Sequence, residues 1–175
     1  HFSIGPTHSL SQRGICVTVI FRRNDAVELN LCEFVGPIGL GELKGLAKYQ
    51  ADKPNLLGSD TLNLVRADAD FSAITFEMLN AIFEHYRTLF TPLRLQIFRR
   101  AVWYCESESP KAHITHWLSL DAKEGMSSTV KQCHSFAEAA DWLLLMDAER
   151  AKLETGEGFN EIVRFDVPPA PALSL

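Results

Sequence analysis

What most constrains this chain is a change of hydrophobic period along it. Near the front, Val27, Leu29 and Leu31 alternate with Glu28, Asn30 and Cys32, the period of two that turns one face of a β-strand toward a core. Further on, Phe76, Leu79, Ile82, Phe83, Tyr86 and Phe90 recur every third or fourth residue, the spacing of an α-helix with one buried stripe. A chain holding both periods buries its apolar surface by packing helices on a sheet, so a layered α/β domain is expected.

The order of elements follows from the punctuation. Val17 to Phe21 and Val27 to Leu31 are β-rich runs separated by Asn24-Asp25, a turn signal that predicts an antiparallel hairpin with a half-buried second strand. Gly36-Pro37 stops that strand, and Leu40, Leu43, Leu46 and Ala47 predict a helix to about Gln50. Thr61 to Val65 is a short, mostly apolar run that reads as a buried strand. Thr75 is an N-cap residue ahead of the aromatic stripe, with Glu77 in the first turn. Beyond Pro92, Ala101 to Cys105 has strand content, and Ser109-Pro110 opens a helix to about Lys123. Thr129 to Cys133 predicts a short strand that runs into Ser135-Phe136-Ala137-Glu138, a capping box; the helix behind it is expected to pass Glu149.

The expected fold is therefore α/β, with a single mixed sheet of about five strands and four helices mainly on one face. Residues 1–155 form one domain in this reading, and 156–175 a Pro- and Gly-rich tail in which Ile162 to Phe165 either hangs free or docks as an added strand. A chain of 175 residues removes roughly 70% of its unfolded surface from water, so a substantial core is expected.

Charge and cysteine usage exclude some functions. A net charge of -5, with Arg22-Arg23 and Arg99-Arg100 as the longest basic runs, argues against a general nucleic-acid binder. No apolar run approaches the length of a membrane span, and positions 1–14 lack a leader-like pattern. Cys16, Cys32, Cys105 and Cys133 are widely spaced in hydrophobic segments, as reduced core thiols would be, so a cytoplasmic location is expected.

Val130 to Cys133 followed by Phe136-Ala137-Glu138-Ala139-Ala140-Asp141-Trp142-Leu143 resembles the SpoIIAA-like group, which includes the STAS domains of anti-sigma-factor antagonists. The resemblance implies a non-enzymatic regulatory module that binds a protein partner, without a cofactor and with homodimerisation open. In the antagonists a serine or threonine in a D-S-x-G-like turn is phosphorylated. The corresponding stretch here, Asp68 to Thr75, has no glycine, which leaves Ser72 and Thr75 as phosphorylation candidates against a plainer reading as helix caps.

Other constellations carry competing chemistry. Gly36, Gly39, Gly41 and Gly45 lie between a strand and a helix, as glycines that admit a phosphate do, which makes Gly39 and Gly41 candidate nucleotide contacts; turn and cap glycines are the plainer account. His113 and His116 match no metal-ligand spacing, so no metal is expected. Cys105, His113 and Asp121 are the residue types of a nucleophilic triad, but a cysteine ending an apolar strand ordinarily packs. Trp103, Trp117 and Trp142 with Phe83, Tyr86 and Phe90 serve either as core or as the wall of a small-ligand pocket between helices and sheet. The leading expectation is the STAS-like interaction module, and the alternative is a small apolar-ligand or nucleotide binder.

Overall fold

The computed structural model describes residues 16–96, 99–124 and 129–167. Its elements run β1 (Cys16–Asn24), β2 (Leu29–Phe34), α1 (Leu40–Asp52), α2 (Pro54–Leu57), β3 (Asp60–Val65), α3 (Phe76–Phe90), a 3-10 turn (Thr91–Gln96), β4 (Arg100–Cys105), α4 (Lys111–Glu124), β5 (Thr129–Cys133), α5 (Phe136–Trp142), α6 (Asp147–Thr155) and β6 (Asn160–Val167). The expected α/β fold with a single mixed sheet is what the chain forms. Among the described residues that sheet has six strands in the order β5-β4-β3-β2-β1-β6. Strands β2 to β5 are parallel, and β1 runs antiparallel to both β2 and β6.

Both faces of the sheet are covered, and period two sorts the side chains between them. Cys32, Phe34, Val65 and Cys105 face a cluster with Leu46 of α1, Leu79 of α3 and Ile114 of α4. Leu31, Leu62, Leu64 and Val102 face the other way, onto Ala139 and Ala140 of α5 and Leu153 of α6. The three long helices thus share one face, as expected, while α5 and α6 close the opposite one.

β2 is buried along its whole length, although its pattern predicts one exposed face. Asn30 tolerates burial because its amide donates to the Leu56 carbonyl at 2.6 Å and its oxygen accepts from Arg23 at 2.9 Å. Cys32 packs as a small hydrophobe, and burial pushes its thiol up. Glu33 sits between Arg22 and Arg66, with Nε to carboxylate distances of 2.7 and 3.0 Å. Burial pulls the Arg66 guanidinium down, but the Glu33 and Glu106 carboxylates outweigh it and leave it raised overall.

The expected helix past Glu149 is broken in two. Leu144 takes a left-handed conformation, φ 57°, and the Leu145 amide returns to the Ala140 carbonyl at 3.0 Å. Leu143 is thereby buried, Leu144 is left exposed, and α6 starts afresh where Glu149 accepts the Met146 amide at 2.8 Å. At its own start α5 is capped by Ser135, whose hydroxyl accepts the Glu138 amide at 3.1 Å, while Glu138 accepts from the His134 amide one residue outside the expected partner. Ser135→Ala is expected to cost about 1 kcal/mol, measured by urea denaturation. No change in the unfolding midpoint would mean that the cap is dispensable.

The carboxyl-terminal segment docks: Asn160–Val167 extends the sheet beside β1, after Gly156 ends α6 in the left-handed region at φ 73°. The Phe165 ring lies against α1 at Gly45, where a Cβ would stand 3.0 Å from it, so glycine permits this approach of helix to strand.

Candidate functional site

The layer made by α1, α3 and α4 does not close fully on the sheet. It leaves a cavity of about 110 Å³. Its floor is Phe34 of β2, Asn63 of β3, Ala101 and Trp103 of β4 and Val130 of β5, which alternate out of neighbouring strands onto one face. Its roof comes from helical stripes: Leu43, Leu46, Ala47 and Gln50 of α1, Leu79, Ile82 and Tyr86 of α3, and Ile114, Trp117, Leu118 and Asp121 of α4. Asn63 and Trp103 stand in the middle of the sheet yet are only half-buried, because the cavity holds the helices off them.

The two ends of the cavity differ. Helices α1, α3 and α4 run back against the parallel strands, so their first turns meet the strands' carboxyl ends and their last turns the amino ends. Toward the carboxyl ends the wall is aromatic: Phe34 stacks on Trp103 with centroids 5.3 Å apart, Phe71 lies 6.1 Å from Phe34, and the His113 ring lies 5.8 Å from Phe71. Toward the amino ends it is polar, with Gln50, Tyr86, Arg99 and Asp121. Arg99 donates to the Thr61 hydroxyl at 3.3 Å and lies close enough to Tyr86 and Asp121 to act on both. Burial pushes the Tyr86 phenol up, against the pull of Arg99.

Three side chains on this wall keep hydrogen-bonding capacity that no described residue uses: His113, whose Nδ1 is buried without a partner, Gln50 and Asn63. Gln50 is 8% exposed and Asn63 is half-buried, and no described residue hydrogen-bonds either side-chain amide. The amide atoms of Gln50 and Asn63 are open to the cavity, unlike the Nδ1 of His113, which is buried. Both amides therefore face the cavity as donor and acceptor pairs available to a guest.

Burial raises the Asp121 carboxyl above the ordinary aspartate value, with Arg99 pulling the other way. A carboxyl raised in the folded state holds its proton more tightly there than in the unfolded chain. It favours folding at acid pH, and this contribution is lost as pH rises from near 3.8 through the raised value. Asp121→Asn is expected to be more stable than wild type at neutral pH and to lose that advantage in weak acid. Paired urea titrations check this, and an advantage that does not change with pH would contradict it.

The residues singled out in the sequence fall in separate places. Thr75 caps α3, its hydroxyl accepting the Met78 amide at 3.1 Å, and the Ser72 amide is held by the Asp70 carboxylate at 2.8 Å. Both side chains are exposed at the mouth of that helix. Gly39 precedes α1, where a Cβ would stand 2.3 Å from Glu42 Oε2, and Glu42 is itself buried. An acidic side chain thus holds the place beside Gly39 that a phosphate would need, while Gly41 lies exposed with open space around it.

The triad residues are not assembled as a nucleophilic unit. His113 donates through Nε2 to the Ile74 carbonyl at 2.8 Å, or takes the opposite tautomer only by losing that bond, and burial pushes the Cys105 thiol up to about 11. His116 stacks on Phe76 and pairs with Asn80. Among the described residues no cluster of three or more histidine, cysteine or acidic side chains is placed to hold a metal. Of the aromatic residues, Trp103, Trp117 and Tyr86 line the cavity, whereas Trp142 lies on the other face and donates to the Ala101 carbonyl at 3.1 Å.

Comparison with known proteins returns no match among family models, curated proteins or solved structures. The site therefore rests on its own geometry. Gln50, Asn63 and Arg99 were not singled out in the sequence. Their signal is an amide inside a short apolar strand, Thr61 to Val65, and a glutamine continuing the spacing of Leu43, Leu46 and Ala47.

Proposed function

We propose that this domain is a binding module for a small molecule held between the α1, α3 and α4 layer and the sheet. The observation that carries this reading is the pair of carboxamides, Gln50 and Asn63, that no described residue engages on the wall of a largely apolar cavity. A dry packing void is apolar, whereas a polar-lined space takes up water or a ligand, and polar groups converging on an apolar pocket are the usual mark of ligand recognition. The buried thiols Cys32, Cys105 and Cys133, free and each pushed up by burial, support a reducing, cytoplasmic setting.

Thermal denaturation against a library of small molecules tests the reading. A ligand at a hundredfold excess over its Kd adds about 2.7 kcal/mol, a rise of roughly 5–10 °C in Tm for a domain of this size. Ala101→Leu, which fills the cavity from the sheet, is expected to abolish the rise while the variant still unfolds cooperatively. A rise that survives this substitution would assign the ligand to another place.

A second reading keeps the STAS-like interaction module, and exposed Phe76 and Met78, beside Ser72 and Thr75 at the start of α3, support it. In that case Phe76→Ser with Met78→Ser would lose a protein partner that wild type retains, with no effect on ligand-induced Tm shifts.

A further inference from the structure

Three properties of the cavity limit the chemistry of its guest, and this inference rests on the proposed binding function. The first is size. A cavity of roughly 150 Å³ takes up benzene, so about 110 Å³ holds no more of a guest than one planar ring. The second is charge. The polar end carries one cationic side chain, Arg99, and one acidic side chain, Asp121, so its formal charges balance. The third is hydrogen bonding. Gln50 and Asn63 each present a carbonyl and an NH2 group that no described residue uses, and Gln50 is nine-tenths buried. Pairing two carboxamides calls for a ligand edge that alternates donors and acceptors.

We infer that the cavity binds an uncharged six-membered nitrogen heterocycle with adjacent N–H and C=O groups, of the pyrimidine-base class, its edge on Gln50 and Asn63 and its ring against Trp103. Apolar walls remove the ring from water, and the amides supply selectivity. A site built to hydrogen-bond its ligand rejects a ring lacking those groups, because its own buried polar atoms are then left unpaired. The aromatic floor serves the ring: Phe34 already stacks on Trp103, which stiffens the surface the ligand meets.

Titrating 15N-labelled protein with uracil, toluene and benzoate, each to its solubility limit, tests this. The probes share one ring and differ in edge chemistry and charge. Uracil is expected to shift the indole N–H resonances of Trp103 and Trp117 with a Kd at least about tenfold lower than that of toluene or benzoate. Gln50→Leu and Asn63→Leu are each expected to weaken uracil by about tenfold or more while toluene binds as well or better. Two sites of substitution, one on a helix and one on a strand, guard against a variant that fails to fold. If toluene or benzoate matches uracil, or the leucine variants keep the wild-type uracil Kd, the ligand class is overturned and the cavity remains a binding site. If none of the three probes moves a cavity resonance, the binding function falls with it.

Discussion

Phe34→Ala is expected to destabilise the domain by about 4 kcal/mol, near the upper part of the range for a buried phenylalanine. Phe34 is 1% exposed on β2, an interior strand of the sheet, and its ring touches Trp103 and Phe71. Its lateral neighbours Val19 and Val65 belong to strands fixed by ladder hydrogen bonds, so the backbone cannot close over the missing ring. The loss would also merge with the existing cavity and remove the support behind Trp103. Because a whole domain is stable by only about 5–15 kcal/mol, the variant should unfold at much lower urea concentration with an unchanged slope. A loss below about 1 kcal/mol would mean that Phe34 does not pack as described.

Glu33→Ala is expected to cost about 2–3 kcal/mol. The Glu33 carboxylate joins β1 to the end of β3 by accepting from Arg22 and Arg66, and Arg66 reaches on to Glu106 at 3.2 Å. Removing the acid leaves Arg22 without that carboxylate and Arg66 with Glu106 alone, the two cations still close together. Breaking a fully buried pair costs about 3–5 kcal/mol, but both arginines keep about a third of their surface in water and rehydrate in part, which lowers the figure. Glu33→Gln keeps the volume and one acceptor, so it should cost less. Equal losses for both variants in urea denaturation would show that packing, not charge, sets the effect.

The strength of local signals decided how much of this was legible in the chain. Thr75 and the stripe behind it located α3, Ser135 located the start of α5, and the change of period gave a layered α/β fold, because each depends on residues a few positions apart. Features set by distant contacts were hidden. The polar side of β2 looks solvated, yet Asn30 and Glu33 are buried because Leu56, Arg22 and Arg66 reach them from elsewhere in the chain. Nothing near Leu144 breaks a helix by composition. The break instead fits Leu143 and Trp142 to the face of the sheet opposite the cavity, where the indole meets the Ala101 carbonyl.

The candidate site divides in the same way. Trp103, Trp117 and Tyr86 were visible as aromatic residues on strand and helix faces. Their convergence with Gln50, Asn63 and Arg99 depends on the parallel order of β2, β3 and β4, which brings the ends of α1, α3 and α4 to one place. An isolated amide in an apolar run carries little weight until the opposite wall is known.

The helix layer stands off the sheet and leaves the Gln50 and Asn63 carboxamides open to a guest. Water-to-protein nuclear Overhauser spectroscopy on the ligand-free protein tests it directly. Cross-peaks from long-lived water to both side-chain NH2 groups are the predicted result; contacts from the Trp117 ring to Asn63 with no water signal would show the layers closed and contradict it.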